Sequence, residues 1–139
     1  MITWLSPGGR LRFKVYGDSF GGKFIMEHFE LAQLILDQKR AEGDYYEFLR
    51  KDSLSMGLYV LPAGGIDTQH PHTEDEVYYI ASGRGMIRIG QEDMPVETGS
   101  VVYVDRGVEH HFHGITEDLK ILVFFAPPEG SQGDQSTMT

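Results

Sequence analysis

Short runs of β-forming residues, separated by turn-forming residues, dominate the chain from Tyr45 onward. The runs are rich in valine, isoleucine, tyrosine and phenylalanine, and turn residues interrupt them, for example at 62–65, 90–93 and 105–107. Short strands at such regular spacing are typical of β-sandwiches and β-barrels. We find no internal repeat of roughly 20–50 residues, and we therefore predict one β-barrel over 45–126.

A stretch in which apolar residues repeat at helical spacing precedes this β-rich part of the chain. Leu31, Leu34 and Ile35 lie on one stripe at helical spacing, with charged residues around the rest of the helix. Gly43 is a suitable residue for ending a helix. We predict one α-helix over 27–42.

The two ends of the chain differ in pattern from the middle. Apolar and polar residues alternate over Leu11–Tyr16, which predicts a half-buried strand. Residues 1–26 are therefore either an edge strand or an upstream extension, with Met26 as the natural start in the second case. Residues 127–139 have little to bury and are expected to be disordered. A single domain is expected over 27–126.

Composition excludes several classes of function. The chain has 139 residues, which suits one domain, and its 12 basic and 21 acidic residues give a net charge of −9. This charge disfavours nucleic acid and anionic membranes as partners. Without cysteine the chain has no disulfide, zinc finger or thiol nucleophile. We find neither a basic leader nor an apolar run of about 20 residues, and we expect a cytoplasmic protein.

Five of the six histidines fall in two short stretches. His70 and His72 are two residues apart, so on a strand both imidazoles project from one face. Glu76 follows after a tight turn and opens an apolar run, so a hairpin returns its carboxylate to the two imidazoles. His110 must then arrive from a distant strand. Such a set of neutral imidazoles and one carboxylate suits Fe, Mn, Ni, Cu, Co or Zn as a divalent ion.

Glycines accompany these side chains at fixed spacing. The pattern G-x5-H-x-H-x3-E-x6-G fits at all five of its positions, which are Gly64, His70, His72, Glu76 and Gly83. This pattern resembles the first motif of the cupin family.

The second family motif, G-x5-P-x-G-x2-H-x3-N, is matched in part. It falls on Gly99, Gly107 and His110, whereas Asp105 replaces the usual proline and Gly114 the usual asparagine. Both replacements are turn formers. Neither departure falls on a metal ligand of the family, so the ligand set is intact.

The resemblance to small bacterial cupins implies a fold and a metal site. The fold would be all-β, a double-sheet jelly-roll barrel of six to eight strands, here with one N-terminal helix. One divalent transition metal ion would be bound by His70, His72, Glu76 and His110.

The alternation of side chains along a strand predicts which further residues face the cavity, because residues of the same parity lie on the same face. Tyr78 shares parity with Glu76, and Phe112 with His110, so both are candidates for lining the cavity beside the metal. For Tyr78, core packing is the favoured role. His111 and His113 should face the other side of their strand. Glu74 and Asp75 are expected to be the solvated tip of the turn.

The pattern leaves the reaction open. An enzyme acting on a small organic molecule is the first hypothesis, with dioxygenase-like chemistry ahead of isomerase or lyase chemistry by resemblance. A non-catalytic metal or small-molecule binder or sensor is the alternative, and a structural dimer with a vestigial site is a third. A homodimer is expected, because outward-facing apolar residues such as Leu122 and Phe124 need a cover.

Overall fold

The computed structural model describes residues 2–5, 12–17 and 19–132. The chain divides into two compact units, residues 1–41 and residues 42–139. We describe each unit by itself. No helix in the described ranges is long and apolar enough to cross a bilayer.

The first unit contains a three-stranded antiparallel sheet and one helix. Its strands are β1 (Ile2–Leu5), β2 (Arg12–Gly17) and β3 (Lys23–His28), with β2 in the middle. The strand predicted over Leu11–Tyr16 is thus present as β2, and it is paired on both sides rather than at an edge. Met26 lies within β3 and pairs with Lys14.

The helix is shorter than the predicted range of 27–42. Helix α1 runs from Leu31 to Arg40, and the residue before it, Glu30, has extended backbone geometry. Residues 27–28 belong to β3 instead, where they pair with β2. The apolar stripe that indicated the helix begins at Leu31, so the sequence carried no helical signal before that residue. This helix falls in the first unit, whereas the expected domain over 27–126 includes it.

The second unit is a six-stranded antiparallel sheet. It begins at Tyr45 and ends at Ala126, the bounds expected for the barrel. Its strands are β4 (Tyr45–Arg50), β5 (Ser55–Leu61), β6 (Asp75–Ile89), β7 (Glu92–Glu97), β8 (Val101–Val104) and β9 (His110–Ala126). They form the order β4-β5-β9-β6-β7, and β8 pairs with β6. The predicted fold class, an all-β barrel with one helix, is confirmed.

Two long strands bend this sheet into two halves. The first part of β6 pairs with β8 and the second part with β7, and β9 pairs with β6 along both parts. The register between β6 and β9 shifts three times between Ile80 and Met86. Gly83 lies in this bend with φ of +104°, and a side chain there would collide with the backbone of Asp118. The motif glycine therefore has a structural role, because only glycine fits this crossing.

The core lies between the two halves. Its members are apolar side chains that alternate inward along β6 and β9, with single contributions from β5, β7 and β8. Tyr78, Ile80 and Ile87 on β6 are fully buried, as are Leu119 and Ile121 on β9. Because the core fills the space between the halves, inward-facing polar side chains at the ends of β6 and β9 are held in a dry environment.

Candidate functional site

Glu76 reaches the interior because it is the second residue of β6. It pairs with Val104 on one side and with Phe125 on the other, and it is only 2% exposed. Strand alternation places Glu76 on the same inward side as Tyr78 and Ile80. A carboxylate at this depth is costly unless a partner compensates its charge.

His110 enters from the opposite half of the sheet. It is the first residue of β9, pairs with Ile89 and is 5% exposed. Its Nε2 atom lies 3.0 Å from Oε1 of Glu76, so the two halves bring together residues 34 positions apart. The arrival of His110 from a distant strand, expected from the spacing, is what the fold shows.

His72 completes a cluster of three possible ligands. Its Nε2 atom lies 4.0 Å from Oε1 of Glu76. One nitrogen or oxygen atom from each of His72, Glu76 and His110 lies within 4.8 Å of the others. We call these three residues the histidine–carboxylate cluster. Their atoms are close enough to bind one ion in common.

Two buried atoms of this cluster lack well-aligned hydrogen bonds. Among the described residues, Oε1 of Glu76 and Nε2 of His110 approach each other at 3.0 Å, but neither makes a hydrogen bond of good geometry. The Nδ1 atom of His110 donates to the carbonyl oxygen of Val108 at 2.8 Å. That bond places the proton of a neutral imidazole on Nδ1 and leaves the lone pair of Nε2 directed at the cluster. The donor set fits a divalent metal ion.

Opposing effects set the protonation of His110. Burial lowers the pKa of its imidazole, while the adjacent Glu76 carboxylate and the Val108 carbonyl raise it. The net result is a pKa above the usual 6.5. A proton therefore competes with a metal ion for Nε2, and we expect metal affinity to fall as the pH is lowered.

His70 is not brought into the cluster. The two imidazoles were predicted on one strand, and this is wrong, because residues 62–74 form an irregular loop. Pro71 between them has no N–H to donate to a strand ladder. His70 is exposed in the structure, yet it lines the same cavity as His72 and Glu76.

Hydrogen bonds to the Asp67 carboxylate hold this loop. Its Oδ1 atom accepts from the Tyr59 hydroxyl at 2.6 Å, and Oδ2 accepts from the Phe112 backbone N–H at 2.8 Å. Gln69 also donates to Asp67 and accepts from the Tyr78 hydroxyl at 3.0 Å. The loop that carries His70 and His72 is thereby tied to β5, β6 and β9.

Tyr78 and Phe112 pack behind the cluster and not along the cavity. Both are almost fully buried, and their rings meet at a centroid distance of 5.0 Å. The Tyr78 ring lies 5.9 Å from that of His110. They are absent from the described lining of the cavity, although the Tyr78 hydroxyl donates to Gln69, which does line it. Core packing, the favoured role for Tyr78, is what the structure shows.

The cluster borders a cavity of about 380 Å³. This volume is within the range of small-molecule sites. Its lining comes from the loop that carries the histidines, from β4, β5, β6 and β9, and from the segment after β9. The lining residues are Asp44, Tyr45, Tyr59, Thr68, Gln69, His70, Pro71, His72, Glu76, Val123, Phe125 and Glu129.

Comparison with known proteins identifies the family. The model of the Cupin domain matches residues 57–125. The uncharacterised protein SCO3923 of Streptomyces coelicolor is 50% identical over 104 residues, which are 75% of this chain and 99% of that protein. The chain belongs to the cupin family. The resemblance found in the two motifs is thereby confirmed.

A further relative and a solved structure are also similar to this cupin. The oxalate-binding protein of Thermotoga maritima is 34% identical over 64 residues, 45% of this chain and 53% of that protein. The Cnp3 cupin domain of Schizosaccharomyces pombe has a TM-score of 0.65 at 11% identity, over 93% of this chain and 94% of that one. The second likeness is one of fold alone.

The segment after β9 forms part of the cavity wall of this cupin. The backbone N–H of Glu129 donates to Oγ of Ser55 at 2.9 Å, and its carbonyl oxygen accepts from Nη2 of Arg50 at 2.9 Å. The N–H of Gly130 donates to the Glu74 carboxylate. The expectation of disorder therefore does not hold for residues 127–132. Residues 133–139 lie outside the described part of the chain.

Glu74 also differs from its predicted role. It is 2% exposed and accepts from the Thr73 hydroxyl and the Gly130 N–H, so it is not a solvated turn residue. The neighbouring Asp75, also predicted at the solvated tip of the turn, is the first residue of β6, is partly buried and accepts from the Arg106 N–H at 3.1 Å. A run of three acidic residues gives no sign of which one will meet a distant N–H.

Most of the lining residues were not found by sequence reasoning, Tyr45, Tyr59 and Glu129 among them. Tyr45, Tyr59 and Glu129 line the cavity from β4, from β5 and from the segment after β9. With Asp44 we call them the acidic–aromatic wall. Gly57 was the available signal for Tyr45: a side chain on Gly57 would collide with the Tyr45 ring, so the glycine makes room for it.

Proposed function

We propose that this protein is a mononuclear metal-dependent cupin enzyme that acts on a small organic molecule in the cavity. His72, Glu76 and His110 would hold one divalent transition metal ion, and His70 would join them from its loop. The observation that carries the proposal is the cluster of His72, Glu76 and His110, in which the buried atoms Oε1 of Glu76 and Nε2 of His110 lie 3.0 Å apart without a well-aligned hydrogen bond.

The chemistry of the ligand side chains indicates which metal ions the site could bind. Imidazole and carboxylate suit Fe, Mn, Ni, Cu, Co or Zn, and no thiolate is present to favour softer ions. Such an ion supplies a Lewis acid that polarises a bound oxygen or carbonyl group. Val123 and Phe125 supply an apolar surface to the cavity, and the Phe125 ring contacts that of His72. Dioxygenase-like chemistry is the first activity to test, followed by isomerase and lyase chemistry.

The alternative is a non-catalytic binding protein. The relative from Thermotoga maritima is named for binding oxalate and not for a reaction. On this alternative the cluster and cavity would hold a metal and a ligand without turnover. The same cavity serves both hypotheses, so only a measurement of turnover separates them.

Metal binding is tested first. Elemental analysis of the purified and reconstituted protein should give about one metal ion per chain, and His72→Ala should lower the metal content sharply. His111→Ala is the matched control, because His111 is exposed on β9 next to His110 and lies outside the cluster. An unloaded wild-type protein after reconstitution with each of the six metals would contradict the proposal.

Activity is tested on the loaded protein. Oxygen uptake is measured with catechols, thiols and diketones, and product formation is followed for isomerase and lyase substrates. Turnover that is lost in His72→Ala and kept in His111→Ala supports the enzyme. Stoichiometric metal with no turnover across these panels supports the binding protein instead.

We also propose a homodimer formed by the outer face of β6 and β8. Tyr79, Val101 and Tyr103 are exposed there, and Tyr79 pairs directly with Val101. Exposed apolar neighbours of this kind are typical of protein interfaces. Light scattering of the wild type and of Val101→Lys tests the proposal: the variant should be monomeric, whereas a monomeric wild type would contradict it.

A further inference from the structure

The loop over residues 62–74, which we call the histidine loop, meets an open edge of β9. Strand β5 pairs with β9 only over residues 119–125, so among the described strands the earlier part of β9 pairs with β6 alone. On the open side of that part, the Gly64 N–H donates to the carbonyl oxygen of Ile115 at 2.9 Å. The histidine loop therefore begins where a neighbouring strand would otherwise lie.

Asp67 makes the link to β9 that lies closest to the histidine–carboxylate cluster. Its Oδ2 atom accepts from the Phe112 N–H at 2.8 Å, two residues after His110. The same oxygen accepts from Nε2 of Gln69. Oδ1 accepts from the Gln69 N–H at 3.1 Å and from the Tyr59 hydroxyl at 2.6 Å. One carboxylate thus joins the histidine loop to β5 and to the part of β9 that carries His110.

These four hydrogen bonds need a carboxylate. Three of the donors are N–H groups, which have no lone pair with which to accept a bond in return. A carboxylate has acceptors on both oxygens, whereas the isosteric amide of asparagine replaces one oxygen with a donor. In either orientation of such an amide, the backbone N–H of Gln69 or that of Phe112 would lose its acceptor.

The histidine loop is also held beyond Asp67. Gln69 accepts from the Tyr78 hydroxyl at 3.0 Å, and the carbonyl oxygen of His72 accepts from the Gly107 N–H at 2.7 Å. Each such bond reduces the number of conformations open to the loop. Ligands that are ordered in advance lose less conformational entropy when an ion binds.

From these contacts we propose that Asp67 is a positioning residue of the metal site. Its carboxylate holds the histidine loop against β9, so that His72 lies beside the cluster residue His110 before an ion binds. Asp67 occupies one of the five unspecified positions between Gly64 and His70 in the first motif, so the motif gives it no role. The proposal rests on the proposed function in taking the cluster as a metal site.

Zinc affinity is measured by calorimetric titration of the full chain, because zinc has no redox chemistry. Asp67→Asn should weaken zinc binding by about 10- to 100-fold, the range for losing a residue that orients a ligand. Asp93→Asn is the matched control. The Asp93 carboxylate contacts Arg88 and His113 away from the cluster, so zinc affinity should be unchanged.

Tyr59→Phe makes a milder change to the same carboxylate. It removes one of the four hydrogen bonds to Asp67 and keeps the aromatic ring. It should weaken zinc binding by about fivefold, as expected for one hydrogen bond. If Asp67→Asn does not fold, Tyr59→Phe takes its place, and wild-type zinc affinity in Tyr59→Phe would then overturn the proposal.

A residue that only stabilises the fold would leave the metal site of the folded protein unchanged. Urea unfolding of the metal-free variants measures stability, and the zinc titrations are run where circular dichroism shows each variant folded. The visible absorption of the cobalt-loaded protein reports the geometry of the ligands. Asp67→Asn should alter this spectrum, and Asp93→Asn should not. Wild-type zinc affinity and cobalt spectrum in folded Asp67→Asn would overturn the proposal.

The metal-free protein separates this proposal from the proposed function. A wild-type protein that loads neither zinc nor cobalt contradicts the proposed function, and the imidazole 15N signals of the metal-free protein then test Asp67. Asp67→Asn should shift or broaden the signals of His72 and leave those of His28, on β3, unchanged. Unchanged His72 signals in that case would overturn the positioning role.

Discussion

The histidine–carboxylate cluster and the acidic–aromatic wall border one cavity, yet they are built differently. In the cluster, Glu76 and His110 come from the two longest strands and are buried in the core. In the wall, Glu129 comes from a short segment held by a few hydrogen bonds, and Tyr45 depends on a gap left by Gly57. We therefore expect changes in the cluster to alter metal binding most and changes in the wall to alter stability and ligand choice.

The largest effect is expected from removing a cluster ligand. His110→Ala and Glu76→Gln should each weaken metal binding by more than about 100-fold, the upper range for losing even an outer partner of a ligand. Calorimetric titration with zinc measures the affinity. His113→Ala is the control, because that imidazole pairs with Asp93 away from the cluster.

His70→Ala sharpens this comparison within the metal site. Because His70 lies on the loop and outside the cluster, its loss should weaken zinc binding less than the loss of His72. The same titration compares the two alanine variants directly. Equal losses would mean that the loop moves on metal binding and brings His70 to full coordination.

The next effect concerns the aromatic part of the wall. Gly57→Ala places a methyl group against the Tyr45 ring and should destabilise the protein by about 1–3 kcal/mol, as overpacking does. Urea unfolding measures the change. In a Tyr45→Ala background the cost of Gly57→Ala should largely disappear, because the obstructing ring is gone. An undiminished cost in that background would place the strain elsewhere.

A smaller effect is expected for the segment that carries Glu129. Ser55→Ala removes the oxygen that accepts from the Glu129 N–H and should destabilise the protein by about 1 kcal/mol. Hydrogen exchange should accelerate at residues 129–130. The matched control is Ser100→Ala, which removes a similar bond to the Glu97 N–H at an exposed turn. Faster exchange at 129–130 in the control would show that the segment is not held locally.

The contrast between the cluster and the wall also explains how much of the site could be predicted from the sequence. The cluster was largely foreseen, because strand alternation and motif spacing fix Glu76 and His110 on inward positions of β6 and β9. The placement of His70 was not foreseen, because the segment around Pro71 is a loop and not the strand that the prediction assumed. The wall was missed because Tyr45 and Glu129 meet across 84 positions, with neither strand parity nor a motif to relate them.

Glu129 and Glu74 show the limit in physical terms. Both lie in stretches whose composition indicates exposure, a proline- and glycine-rich tail and an acidic turn. The Glu129 N–H donates to the Ser55 hydroxyl across 74 positions, and the Glu74 carboxylate accepts from the Gly130 N–H across 56 positions. No local pattern encodes bonds over such separations. Tertiary hydrogen bonds of this kind override local propensity.

The smallest effect follows from the raised pKa of Glu129. Because burial raises this pKa above the ordinary 4.5, the folded protein holds the proton more firmly than the unfolded chain. The contribution of the carboxyl group to stability is therefore most favourable below pH 4.5 and is lost as the pH rises through the raised pKa.

Glu129→Gln does not titrate at this position. Its melting temperature should therefore be higher than that of the metal-free wild type by a few degrees at most at pH 7.5, and the difference should shrink at pH 4. Glu92→Gln, at an exposed site, should show no such pH dependence. A difference that grows toward acid pH would mean that Glu129 is stabilised as a carboxylate, and the acidic–aromatic wall would then contain a cationic partner for it.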